Sequence, residues 1–184
     1  MQLYQLLKEC KKNGIIAQRY LYDQFAVSMF LLCRRYVKND EIAEEVMMNG
    51  FLKFFRSLDE FEYLNDAATI GWLRKIMVNE CLMQLRTTNS FLQVVAEDFV
   101  DAATDDDIIG KLSAEEIFHL ITQLPPGYRT VFNLFELENR SHKEIAKLLG
   151  ISEGTSRSQL SKAKQMLQQL LIKKNSDYAW RKTK

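Results

Sequence analysis

With only two prolines and seven glycines in 184 residues, the chain has few means of interrupting a helix. Leu, Glu, Lys, Gln and Met, which favour helices, are frequent instead. Cys10, Cys33 and Cys81 are odd in number and far apart, with no CxxC or Cys–His spacing. That excludes a disulfide framework and a zinc site, and the three read as small core residues in a reducing compartment. In such a compartment the sequon Asn139-Arg140-Ser141 meets no glycosylation machinery. The opening MQLYQLLKECKKNG lacks the apolar run and cleavage site of a signal peptide, and no run of about eighteen apolar residues occurs anywhere. A soluble, cytoplasmic protein is expected. Phosphate loops and metal-ligand clusters are missing as well. Ser161-x-x-Lys164 matches a hydrolase pattern but stands without its companion motifs, so no catalysis, cofactor or metal is expected.

What is present is 47% hydrophobic residues, enough for a folded core, and an all-α class is predicted. The formal charge of +1 hides a gradient: residues 1–86 sum to +1, 87–112 to −5 and 113–184 to +5. The acidic stretch gathers Glu97, Asp98, Asp101, Asp105, Asp106 and Asp107 where the helical pattern fails. It reads as a linker over 89–112, with a short helical piece around Leu92 to Phe99, between two small helical domains at 10–88 and 113–174. A basic carboxyl-terminal third suits a polyanionic partner, and by charge alone it suits a solvated face equally well.

In the first domain, Ala43, Val46, Met47, Gly50, Phe51 and Phe54 follow the spacing of a buried helix face, with Asn39 or Asp40 as N-cap. Met48, Leu52 and Phe55 form a second apolar stripe on the same helix. Either both stripes are buried inside a bundle, or the second docks another protein. The last helix of the domain is predicted over Thr69 to Arg86. It aligns Trp72, Lys75, Asn79, Leu82 and Arg86 on one side, a basic face suited to nucleic acid, although Trp72 alone suits a core equally well.

The second domain is sharply punctuated. Ser113-x-x-Glu116 is a capping box, followed by Ile117, Leu120, Ile121 and Leu124 on one face and then by Pro125-Pro126-Gly127. His119 beside that face reads as a surface histidine. Val131, Phe132, Leu134 and Phe135 supply the next helix. Ser141-x-x-Glu144 is a second capping box, and that helix ends at Gly150. Ser152 caps another helix two residues later, which makes a helix-turn-helix. On its second helix Leu160, Ala163, Leu167 and Leu170 face inward, while Arg157, Ser158, Ser161, Lys162 and Gln165 face outward. Short hydrogen-bonding side chains flanked by cations suit a major groove, and Arg157 is the best candidate for a base contact. Lys162 and Lys164, with Arg129 and Arg140 or Lys143, would hold phosphates.

LPPGYRTVFNLFELENRSHKEIAKLLGISEGTSRSQLSKAKQML resembles the σ4 domain of extracytoplasmic-function (ECF) sigma factors, and GTSRSQLSKAKQML is most similar to Bacteroidetes-type members. EIAEEVMMNGFLKFFRSLDEF and ATIGWLRKIMVNECLMQLR resemble the family's σ2 domain. The resemblance covers about Ala17 to Leu171 and implies a subunit that takes core RNA polymerase to promoters. It implies that Glu44, Glu45, Met48, Asn49, Leu52 and Phe55 dock the β′ clamp helices, while σ4 meets the β flap. Lys75, Asn79 and Arg86 would take the −10 element, together with the loop that contains Glu60, Phe61, Asn65 and Asp66, which would capture a flipped base. Arg157, Ser158, Gln159, Ser161 and Lys162 would read the −35 element. The linker would lie in the RNA exit path, and an anti-sigma factor is the implied inhibitor.

Several positions depart from the family pattern. Met48-Asn49 replaces a polar pair on the clamp-binding helix, and Val78 and Met83 replace charged residues on the −10 helix. Ser156 stands where an apolar residue usually packs, which predicts looser packing there. The rival reading is a stand-alone helix-turn-helix regulator. Such a protein normally dimerises across two half-sites, and the chain offers no long heptad seam.

Overall fold

The computed structural model describes residues 2–87 and 113–182, with side-chain environments as far as Lys173. The acidic linker, with its expected helical piece around Leu92 to Phe99, lies outside the described residues. Contacts divide the chain into two compact units, Met1–Thr88 and Asn89–Lys184. Every regular element among the described residues is helical.

The first unit contains α1 (Leu3–Lys11), α2 (Ile15–Val37), α3 (Asp40–Arg56), a 3₁₀ turn (Leu58–Glu60) and α4 (Asp66–Thr87). Lys38 turns the chain with φ 66°, and Asn39 then caps α3, its Oδ1 accepting from the Ile42 amide at 2.8 Å. Helices α2, α3 and α4 pack on one another around Leu21, Met29, Tyr36, Phe54, Leu73 and Met77, all of them buried. At Gly50 the side chain of Met77 fills the place a Cβ would take, so α3 and α4 approach more closely than a larger residue would allow. Lys53 bonds the buried Glu80 at 2.7 Å and joins the same two helices at the rim. A domain beginning at residue 10 would omit most of α1, including Leu3, Leu6 and Leu7, which are buried where the helix meets α2 and the 3₁₀ turn.

All three cysteines are buried and free. Burial pushes the Cys10 thiol up to about 11 and raises Cys81 well above its ordinary value, so both stay protonated and behave as small apolar residues.

The second unit contains α5 (Ala114–Gln123), α6 (Pro126–Phe132), a π-helical turn (Asn133–Leu137), α7 (His142–Leu149) and α8 (Glu153–Lys182). Leu124 and Tyr128 pack on Ala163 of α8, with Phe132, Met166 and Leu167 closing around them. The π turn is the wider continuation of the helix predicted from Val131 to Phe135. It buries Leu134 and leaves Phe135 at the domain's edge, beside His142. Helix α8 runs on to Lys182, past the domain end expected near residue 174.

Candidate functional site

The helix-turn-helix is built by local bonds. Ser141 Oγ accepts from the Glu144 amide at 3.3 Å, and Glu144 Oε2 accepts from the Ser141 amide at 2.9 Å. The Ser141 amide, the Ser141 hydroxyl and Arg140 together hold the Glu144 carboxyl below its ordinary range. Gly150 ends α7 with φ 69°, its amide bonding the Ala146 carbonyl at 2.9 Å. Ser152 Oγ then accepts from Thr155 at 3.0 Å and opens α8. Two helices so tightly linked cross steeply, and that presents the first turns of α8 outward.

The seam between α7 and α8 differs from the loose packing expected at Ser156. That residue is 0% exposed, and its hydroxyl meets His142 Nδ1 at 2.8 Å. The His142 ring stacks on Phe135 at 4.5 Å. A specific polar bond thus replaces apolar packing, which a sequence pattern does not reveal because its partner is fourteen residues away. Ser156→Val should cost about 1–3 kcal/mol by stranding the imidazole nitrogen. In His142→Phe with Ser156→Val, the loss should fall short of the sum of the two single losses by about 1 kcal/mol, as read from urea midpoints.

On the outward side of α8, Arg157, Ser158 and Ser161 are exposed and Lys162 is half-exposed. Arg157 is 65% exposed on its side chain and pairs with Glu153 at 3.2 Å, a contact a polyanion can readily displace. Lys143 is exposed at the start of α7, and the half-exposed Arg140 bonds Glu144 at 3.1 Å.

One expected contact, Arg129, is corrected, and two others, Gln159 and Lys164, have neighbours within the domain. Arg129 is 4% exposed, and its Nη1 donates to the Thr122 and Leu124 carbonyls at 3.3 and 3.0 Å. It clamps the end of α5 from inside, and burial lowers its pKa to about 10, still charged at neutral pH. Gln159 is half-buried, with its amide lying over Gly127. Lys164 is exposed and pairs with Glu136 of the π turn at 2.7 Å, a surface contact of the same displaceable kind as that of Arg157.

In the first unit, Lys75, Asn79 and Arg86 are exposed along α4, whereas Leu82 is buried and leaves that face. Trp72 is sandwiched between Phe54 at 4.7 Å and Phe61 at 4.2 Å, the latter ring lying 2° from parallel. Both rings are therefore packing elements, and Phe61 anchors the loop ahead of α4. Asn65 Oδ1 accepts from the Ala68 amide at 2.8 Å, so its carbonyl is already in use at the start of α4. Asp66 accepts from the Tyr63 hydroxyl at 2.7 Å, a bond that pushes the phenol's pKa up. Glu60 is exposed. Sequence reasoning missed Lys11, whose Nζ donates to the Phe61 carbonyl at 2.8 Å; no local spacing links residues 11 and 61.

The two stripes of α3 separate cleanly. Ala43 to Phe54 form the core face, while Met48 and Leu52 remain 45% and 50% exposed, flanked by exposed Glu44, Glu45 and Asn49. Phe55 is half-buried, its ring 6.2 Å from Phe51 and 5.7 Å from Phe54.

Comparison with known proteins places these two units. The family model for Sigma-70 region 2 matches residues 21–91, and that for Sigma-70, region 4 matches residues 114–167. The chain belongs to the sigma-70 family. ECF RNA polymerase sigma factor SigM of Mycobacterium tuberculosis is 27% identical to this sigma factor over 161 residues, covering 85% of this chain and 80% of SigM. ECF RNA polymerase sigma factor SigE of Mycolicibacterium smegmatis is 27% identical over 170 residues, or 86% of this chain but only 63% of SigE. The solved structure of the sigma factor RpoE of Bartonella quintana, in complex with the anti-sigma factor NepR, matches the fold with TM-score 0.50 and 21% identity. It covers 84% of this chain and 96% of that one. Among the described residues, no helix is long and apolar enough to cross a membrane, and no cluster of three or more His, Cys, Asp or Glu could hold a metal.

Proposed function

We propose that this sigma factor is a promoter-specific transcription initiation factor of the ECF type, acting in the cytoplasm with core RNA polymerase. The observation that carries this reading is the pairing, in one chain, of two exposed surfaces on separately packed units. Met48 and Leu52 form an apolar stripe on a region 2 domain, and Arg157, Ser158 and Ser161 form a polar cationic face on a region 4 helix-turn-helix.

The domain at 10–88, extended to include α1, grips the β′ clamp helices through Glu44, Glu45, Met48, Asn49 and Leu52, with Phe55 stiffening the stripe from beneath. It presents Lys75, Asn79, Arg86 and the Glu60 to Asp66 loop to the −10 element. The domain at 113–174 meets the β flap and reads the −35 element with Arg157, Ser158, Ser161 and Lys162, while Arg140 and Lys143 hold the flanking phosphates. All catalysis belongs to the polymerase. An anti-sigma factor is the expected inhibitor, as in the RpoE–NepR complex.

The test is in-vitro transcription from genomic fragments with core polymerase, with and without the purified chain. Discrete new start sites are the expected result. A sequence-specific palindromic footprint in the absence of polymerase, with no start sites, would instead indicate a stand-alone regulator.

A further inference from the structure

The outward side of α8 is cationic and neutral apart from one carboxylate. Glu153 is the first residue of the helix, and no other acidic residue follows on it until Asp177. A negative charge facing a polyanion costs affinity. What Glu153 gains in return is a hold on Arg157.

The two residues stand one turn apart on the same side of α8, both exposed, and Arg157 Nη2 donates to Glu153 Oε2 at 3.2 Å. The turn beneath them is fixed from inside, because Ser152 Oγ accepts from the Thr155 amide and the buried Ser156 bonds His142. The bond to Glu153 engages Nη2 and leaves Nε and Nη1 outside it. A guanidinium carries five N–H donors in one plane, so Arg157 can keep Glu153 on one of them and present two others to O6 and N7 of a guanine.

A phosphate is a different kind of partner. It carries the same charge as the carboxylate, repels it, and is met best when Arg157 swings away from Glu153. Guanine is neutral and imposes no such exchange. The carboxylate therefore favours a base over the backbone as the arginine's partner. Holding a long side chain in one orientation beforehand also lowers the ordering cost of the base contact.

We propose that Glu153 is a positioning residue that aims Arg157 at a guanine of the −35 element and withholds it from the phosphates, and so sharpens promoter choice. The inference rests on the promoter-binding reading and deepens it at the −35 element.

The experiment is run-off transcription by the full chain with core polymerase at a mapped start site. The templates are the native promoter and a set in which each base pair of the −35 element is replaced singly. Arg157→Lys locates the guanine, as the position where preference for the native pair falls. At that position alone, Glu153→Ala should reduce the ratio of native to substituted initiation about fivefold, part of the discrimination a bidentate contact supplies. The loss should fall on the native template and not on the substituted one. Glu153→Gln, which keeps an acceptor without the charge, should lie between wild type and Glu153→Ala. In the Arg157→Lys background Glu153→Ala should leave the ratio unchanged, because the carboxylate acts through the guanidinium fork.

An unchanged ratio in Glu153→Ala overturns the inference while the promoter reading stands. An equal gain or loss on every template also overturns it, since net charge or folding would then be the cause. So does a full effect in the Arg157→Lys background, which would mark a base contact by Glu153 itself. If Arg157→Lys flattens no position, the reading of the outward face of α8 falls and the inference with it. A wild-type protein that yields no start site removes the promoter reading and everything resting on it.

Discussion

Arg157→Glu should reduce initiation at promoters with a −35 element by about a hundredfold while leaving the fold intact. A bidentate contact from arginine to guanine contributes about 1–3 kcal/mol of discrimination, and a carboxylate in its place adds repulsion from the neighbouring phosphates. The cost to stability is small. Arg157 is largely exposed, and its ion pair with Glu153 is of the i,i+4 type, which contributes about 0.3–0.5 kcal/mol. Run-off transcription measures the first effect and a urea midpoint the second. Arg157→Lys should fall between wild type and Arg157→Glu, because an ammonium keeps the charge but loses the planar fork. Unchanged initiation by Arg157→Glu would remove this residue, and with it the reading of the outward face of α8.

Met48→Asp combined with Leu52→Asp should weaken binding to core polymerase by about a hundredfold or more. Each side chain is roughly half exposed in the free protein, so covering the remainder is worth about 1–1.5 kcal/mol apiece. Two carboxylates pressed into an apolar contact add their own desolvation cost. Neither residue belongs to the buried face of α3, so helicity and unfolding midpoint should stay near wild type. Fluorescence anisotropy of labelled protein titrated with core enzyme reads the affinity. Wild-type affinity in this variant would show that the exposed stripe is not where the polymerase docks.

These two residue sets were legible in the sequence to different degrees. The outward position of Arg157, Ser158 and Ser161 follows from helical periodicity once Gly150 and Ser152 mark the turn. Met48 and Leu52 were equally visible as a stripe, but α3 has two stripes and periodicity does not say which one faces the core. The choice is made at Gly50, where the absence of a side chain lets Met77 of α4 close over one face only.

Charged residues were read least well, for a common reason. Arg129 looks like any surface cation in a basic domain, yet it lies beneath the α5–α6 turn and donates to two carbonyls there. Lys164 lies among polar residues on α8, but the π turn brings Glu136 to it. Ser156 departs from the usual apolar pattern only until His142 is placed beside it.

By itself the sequence determined the helical class, the capping boxes at Ser113 and Ser141, the glycine turn and the apolar faces. Each of these depends on residues three or four positions apart, whose contacts form within one helix. The tertiary structure alone decided which stripe of α3 stays uncovered, which cations remain at the surface, and that Lys11 of α1 ties down the loop before α4. Those outcomes depend on groups in different elements, from five residues apart for Arg129 and Leu124 to fifty for Lys11 and Phe61, and such groups meet only when the chain packs.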